Sequence, residues 1–231
     1  MGFPKVFHFE NYEKAIHQGE VLIFFRNSTI VTLISIAVTT LLSLMIAYAV
    51  SRLYWKYGNH LLIFFLIGIM IPVQAVVLPV FITIHKIGLY NTHLSLIIVD
   101  TAMTMPTAVF IISAYMRNLP RELEESAALD GAGVYRIFFR IIIPIVKPVI
   151  VASVILSFIA IWNEFMMAYM LIGDSKYFTL TVGLFAMQGS YTTNWGMMGA
   201  GMVICSFPTL ILYLLLSRKV QESFIMGAVK G

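Results

Sequence analysis

The sequence predicts an all-α, polytopic transmembrane helical bundle, and three observations carry that prediction. Of the 231 residues 60% are hydrophobic and 11% charged, whereas a soluble chain is roughly a quarter charged. The mean hydropathy of +0.90 leaves too little polar surface to coat a globule in water. Five apolar runs are each long enough to cross a hydrocarbon core of about 30 Å, which takes roughly 20 helical residues. None alternates with the two-residue period of a barrel strand, so helices are what can satisfy the backbone in lipid. The same composition excludes disorder and a disulfide scaffold, and the single cysteine, Cys205, reads as a buried free thiol in an apolar run.

Taken in order, residues 1–28 read as an external segment that carries Glu10, Glu13 and Glu20 and has no long apolar run. The five predicted spans follow at 29–50, 61–84, 94–116, 149–172 and 198–216, bounded by charge, Gly, Asn or Pro, as in Arg52, Lys56, Gly58 and Asn59 after the first. Alternating the connections between two sides places ten basic residues on one side, among them Arg52, Lys56, Arg117, Arg121, Arg136 and Arg140, and five on the other. The positive-inside rule makes the ten-residue side cytoplasmic, with the C-terminus inside and residues 218–231 as a cytoplasmic tail.

The longest inside connection, 117–147, has the sequence of a structured element. Pro120 suits a first helical turn, and Glu122, Glu124 and Glu125 place negative charge where the helix dipole favours it. Gly131 is a natural stop. After Gly133 a second short helix is expected, with Val134, Ile137, Phe138 and Ile141 on one stripe. Pro144 and Pro148 then bend the chain into the fourth span. A helix, a glycine turn and a second helix make a compact docking element. The alternative, a hairpin lying on the membrane surface, conflicts with its glutamates, which anionic lipid repels.

Ionisable groups inside spans suggest a functional site, and Asp100 and Glu164 are the two such groups here. Counting 1.5 Å per residue puts Glu164 roughly 22 Å in from the cytoplasmic side and Asp100 about 9 Å from the outer side, so the two are candidates to line one outward-facing cavity. The competing reading makes Glu164 a cap in a broken helix and places Asp100 at headgroup level. Pro72, Pro79, Pro106 and Pro208 fall inside predicted helices as potential kinks. Gly196, Gly199 and Gly201 permit close helix packing, and Trp55 and Trp195 read as interfacial anchors. The histidines lack ligand spacing, so no metal site is expected, and no catalytic residues are assigned.

The run Glu125, Ser126, Ala127, then Gly131, then Ile141, Ile143 and Pro144 resembles the EAA signature, written E-A-A, three residues, G, nine residues, I-x-L-P. That signature marks permease subunits of binding-protein-dependent, ATP-driven importers. Ser126 and Ile143 depart from it, and the spacing is intact. Asn27 and Ser28, Ala47, Tyr48, Ala49 and Arg52, the Leu119 to Ala132 phrase, Trp162 to Phe165 and the closing Gly227 to Gly231 are similar to the maltose-type sugar permeases. The resemblance implies that residues 29–217 form a permease domain in which 117–147 is the loop that couples to a cytoplasmic ATPase. Glu125 would be the charged anchor, Gly131 the turn, and Asp130 a cap or second contact; Ser126, Ala127 and Pro144 complete the motif. It also moves Asn163 and Glu164 toward the translocation pathway and sends the tail between ATPase subunits.

The implied partners are a second permease, an ATPase dimer, an extracytoplasmic sugar-binding protein, the sugar and the bilayer. ATP and Mg would be bound by the ATPase, since this chain has no phosphate-binding loop. The family usually has six spans, one ahead of the external segment. The runner-up is a proton-coupled transporter using Asp100 or Glu164, for which a glutamate-rich docking loop has no purpose. An intramembrane aspartyl protease needs two membrane aspartates, and one is present.

Overall fold

The computed structural model describes residues 8–188 and 194–228, with side chains through Leu214. Among the described residues every regular element is helical. The α-helices are α1 Glu10–His17, α2 Val21–Ser51, α3 Gly58–Met70, α4 Val73–Lys86, α5 His93–Arg117, α6 Glu122–Leu129, α7 Val134–Ile137, α8 Ile143–Ile145, α9 Lys147–Trp162, α10 Met166–Leu171, α11 Leu180–Ala186 and α12 Trp195–Ala228. A π-helical turn, Phe138–Ile142, joins α7 to α8, and a 3-10 turn, Ser175–Tyr177, follows α10.

Among the described residues three helices are long and apolar enough to cross a membrane, and two bent pairs would bring the number to five. With 31 residues, α2 extends about 46 Å. It begins at Val21, so the first span takes in eight residues assigned from the sequence to the external segment. The second span, expected to be continuous over 61–84, is broken: α3 and α4 meet at 103°. Pro72 is the cause. It lies between the helices, not inside one, and Ile71 before it is extended (ψ 115°), since the proline ring disfavours helical backbone in the preceding residue.

Pro79, Pro106 and Pro208 do lie inside helices α4, α5 and α12. The fourth span also differs, because α9 ends at Trp162 and Asn163 to Phe165 interrupt the helix before α10. Upstream, the Val134–Ile145 stretch meets α9 at 74°, the bend that Pro144 and Pro148 predict. The tail expected from 218 continues α12 to Ala228, and Val229, Lys230 and Gly231 lie outside the described residues.

The chain divides into two compact units: Met1–Ile34, Val77–Val99 and Trp162–Leu214 form the first, and Ser35–Val76, Asp100–Ile161 and Leu215–Gly231 the second. In the first, Leu184 packs so closely on Gly201 that a Cβ there would lie 2.6 Å from it, and Gly196 is equally tight on Asn11. Gly199 faces open space within this chain. Cys205 is a half-buried free thiol, more exposed than the apolar run suggests. In the second unit the core joins Leu44, Ala47 and Tyr48 of α2, Ile112 and Met116 of α5, and Ile137, Phe138, Ile142, Val146 and Val149.

Candidate functional site

Two places concentrate polar chemistry, one in each unit. In the second unit α6 opens with Glu122, Glu124 and Glu125 and ends in a turn whose geometry follows from one glycine. Gly131 has φ +79°, a conformation that costs any residue with a Cβ. Its N–H donates to Ala128 O (3.0 Å), and the N–H of Ala132 reaches back to Ala127 O (2.9 Å). This pair of bonds is the Schellman arrangement, which satisfies the carbonyls a helix end leaves open. Asp130 is the C-cap residue and is exposed.

The loop residues divide by face. Ala127, Ile141 and Ile143 of the signature, with Ala132 beside it, pack against the core that α2 and α5 contribute to, so these positions fasten the loop to the spans. Glu125, Ser126 and Asp130 face outward, and Ser126 Oγ donates to Glu122 O within its own helix. Pro144 lies in α8, where the chain turns toward α9. Of the expected stripe after Gly133, Ile137 and Phe138 are buried and Ile141 packs against the core, whereas Val134, the first residue of α7, is half-exposed. Leu129 and Tyr135 are 89% and 82% exposed, an apolar pair at the tip of a polar element.

Arg52 organises this loop, a role the sequence reading missed by counting it as one more loop cation. Its residue is 5% exposed. Nε donates to Glu124 Oε1 (2.8 Å), one Nη donates to Met116 O (3.1 Å) and Leu119 O (3.0 Å), and the other donates to Pro120 O (3.2 Å). A planar guanidinium at the end of α2 thus gathers the end of α5 and the start of α6. The available signal was Arg52 in sequence directly after a buried apolar helix, with carboxylates waiting in the next inside loop.

In the first unit the polar groups serve irregular backbone. Glu164 Oε1 and Oε2 accept from Met167 N (2.6 Å) and Ala168 N (2.9 Å), and Thr181 Oγ1 donates to Glu164 O (2.7 Å). Glu164 therefore caps α10 in a broken helix. Asn27 is fully buried and donates from Nδ2 to Lys176 O (2.9 Å) and Phe178 O (3.0 Å), while Ser28 Oγ accepts from Leu180 N (2.7 Å). Asn91, at φ +61°, accepts through Oδ1 from Gly173 N and Asp174 N. Buried backbone outside a helix needs such partners. Trp162 is buried and donates to Cys205 O (3.1 Å). Asn163 is exposed at the break. At the exposed rim Lys176 Nζ lies 2.8 Å from Asp174 Oδ2; that hydrogen bond holds the Asp174 carboxyl below its ordinary range and raises Lys176.

Asp100 is buried in α5 and belongs to the second unit, whereas Glu164 and Asn163 belong to the first. Among the described residues no cluster of His, Cys, Asp or Glu is arranged to hold a metal.

The profile of the binding-protein-dependent transport system inner membrane component family matches residues 39–222, a window that contains the whole 117–147 loop. The chain belongs to this family. The permease is 36% identical over 228 residues to the probable ABC transporter permease protein YurM of Bacillus subtilis, covering 99% of this chain and 76% of that one. It is 32% identical to the melibiose/raffinose/stachyose import permease protein MelC of the same organism, over 99% and 83% of the two chains. It is 31% identical to the diacetylchitobiose uptake system permease protein NgcG of Streptomyces coelicolor, over 98% and 76%. The fold matches that of a bacterial ABC transporter involved in alginate import, with a TM-score of 0.82 at 19% identity over 93% of this permease and 80% of that chain. These kinships favour the ATP-driven importer over the proton-coupled alternative. The permease is a multi-pass membrane component of an ABC importer.

Proposed function

We propose that this permease forms half of the membrane pathway of a sugar importer. It works beside a second permease, takes sugar from an extracytoplasmic binding protein, and is driven by a cytoplasmic ATPase dimer that binds the ATP and Mg. The loop face of α6 carries the reading. Glu125 and Asp130 are exposed on a loop that is fastened to the core under α2 and α5 through Ala127, Ile137, Phe138 and Ile142. Such an element passes a push from a docked partner into the spans without dissipating it, because close-packed cores transmit displacement. The exposed Leu129 and Tyr135 add an apolar anchor beside the carboxylates.

Relatives named for melibiose, raffinose and stachyose, for diacetylchitobiose and for arabinooligosaccharides support an oligosaccharide as the cargo here. The loop lies in the cytoplasm of this scheme, as does the C-terminus, in the plasma membrane of a bacterium. Asp100, Asn163 and Glu164 would border the pathway, Glu164 by shaping its wall.

Glu125→Lys tests the coupling role, because its side chain is exposed and its reversal disturbs no internal bond. The expected result is normal insertion with weakened ATPase association and a loss of about tenfold or more in transport per ATP hydrolysed, the scale of one charge-assisted contact. Wild-type sugar-stimulated ATP hydrolysis and uptake in this variant would refute the assignment.

A further inference from the structure

In the second unit a cavity of about 330 Å³ opens where α2 and α5 end and α3 begins. Arg52, Lys56, Arg117 and Arg121 line it, with Tyr54 and Trp55, and no carboxylate does. The Arg52 charge is met by Glu124. Lys56, Arg117 and Arg121 have no carboxylate within 4.0 Å among the described residues, so three lining cations lack an internal counter-ion. Arg117 is oriented by Asn59 Oδ1 (3.2 Å) and Arg121 lies 4.5 Å from the centre of the Tyr54 ring.

The wall is built rather than incidental. Trp55 Nε1 donates to Ala49 O (2.9 Å), and the indole lies so close over Gly58 that a Cβ there would sit 2.9 Å from it. Tyr54 and Leu53 stand exposed beside it. A soluble anion has no use for that apolar rim, whereas a phospholipid has both a phosphate for the cations and glycerol and acyl carbons for the aromatics. The level agrees as well: the cavity sits where membrane-spanning helices end, which is where lipid phosphates lie.

We infer that this cavity binds the phosphate of an anionic phospholipid. The site requires a membrane permease and is independent of the sugar and of the coupling role of Glu125. Basic residues near an anionic bilayer contribute roughly a fivefold preference each.

The test uses the transporter purified through this chain, in phosphatidylcholine nanodiscs, titrated with brominated phosphatidylglycerol or brominated phosphatidylcholine. Quenching of Trp55 is isolated by difference against Trp55→Phe. The expected preference for phosphatidylglycerol exceeds about tenfold and falls about fivefold in each of Lys56→Gln and Arg117→Gln, both exposed substitutions. Equal quenching by the two lipids, or a preference unchanged in both variants, overturns the inference. Loss of the preference when inorganic phosphate is added in millimolar excess would make this a soluble-anion site and overturn the lipid assignment. Loss of the ATPase subunit from either variant with lipid preference intact would give these cations to the protein partner, with the same consequence.

Discussion

In the second unit the buried guanidinium of Arg52, directly after α2, reaches across to three carbonyls and a carboxylate around the start of the 117–147 loop; in the first, a buried amide within α2, Asn27, reaches across to two carbonyls of the 176–178 turn. Both solve one problem, the unpaired backbone left where helices stop. They differ in what they leave over. The loop hands one glutamate, Glu124, to Arg52 and keeps Glu125 and Asp130 outward. The break spends its glutamate, Glu164, on two N–H groups of α10. A carboxylate is available for a partner only where another side chain has already satisfied the backbone around it.

Removing each fastening tests this contrast. Arg52→Ala has the largest expected effect, about 3–5 kcal/mol, because it strands a partly buried carboxylate and three carbonyls. A fall in the thermal unfolding midpoint together with proteolytic opening of the 117–147 loop checks it, and Arg52→Lys should recover only part of the loss, since an ammonium lacks the planar fork. Asn27→Leu is next, at about 2–3 kcal/mol for two abandoned carbonyls. Its signature is faster hydrogen exchange over 173–181 with the loop unchanged.

Gly131→Val should cost about 1–2 kcal/mol, the penalty of a left-handed residue with a Cβ, and nothing crowds the position otherwise. Here the sharper readout is coupling: transport per ATP should fall more than stability does, because the turn sets the pose of α6. A variant that loses stability yet transports normally would show that the pose is not what matters.

The smallest effect is expected at Asp174. Its carboxyl is held low by Lys176, so any stability it adds is present above its ordinary value of 3.8 and lost as pH falls through its lower folded value. The pair lies at the surface, Lys176 exposed and Asp174 partly so, where such contacts contribute little. Asp174→Asn should leave the midpoint unchanged between pH 7 and pH 5, and a measurable drop would mean that this rim carries load the other first-unit bonds do not.

The five apolar runs, the helix stop at Gly131 and the bend near Pro144 were legible because each depends on a local property: run length, the absence of a Cβ, the absence of an N–H. The break at Pro72 was read as a kink inside a helix because proline position does not report how far the two halves part. The span assignment ran through Asn163 to Phe165 while leaving open whether Glu164 capped a broken helix or lined a pathway, because nothing in a run of Trp, Asn, Glu and Phe tells a capped break from a polar wall; the bonds to Met167 N and Ala168 N give the cap.

Sequence alone therefore determined that the chain is an α-helical membrane protein, where its structured loop lies and to which kind of transporter it belongs, since hydropathy and motif spacing are properties of the chain in order. Which glutamate is paired and which is presented, and which loop cation is buried, only the tertiary structure decided. Arg52 and Glu124 are 72 residues apart in sequence and Asn27 and Phe178 are 151 apart. Hydrogen bonds of that reach exist only once the helices have packed, and a carboxylate's role follows from whichever donor packing brings to it.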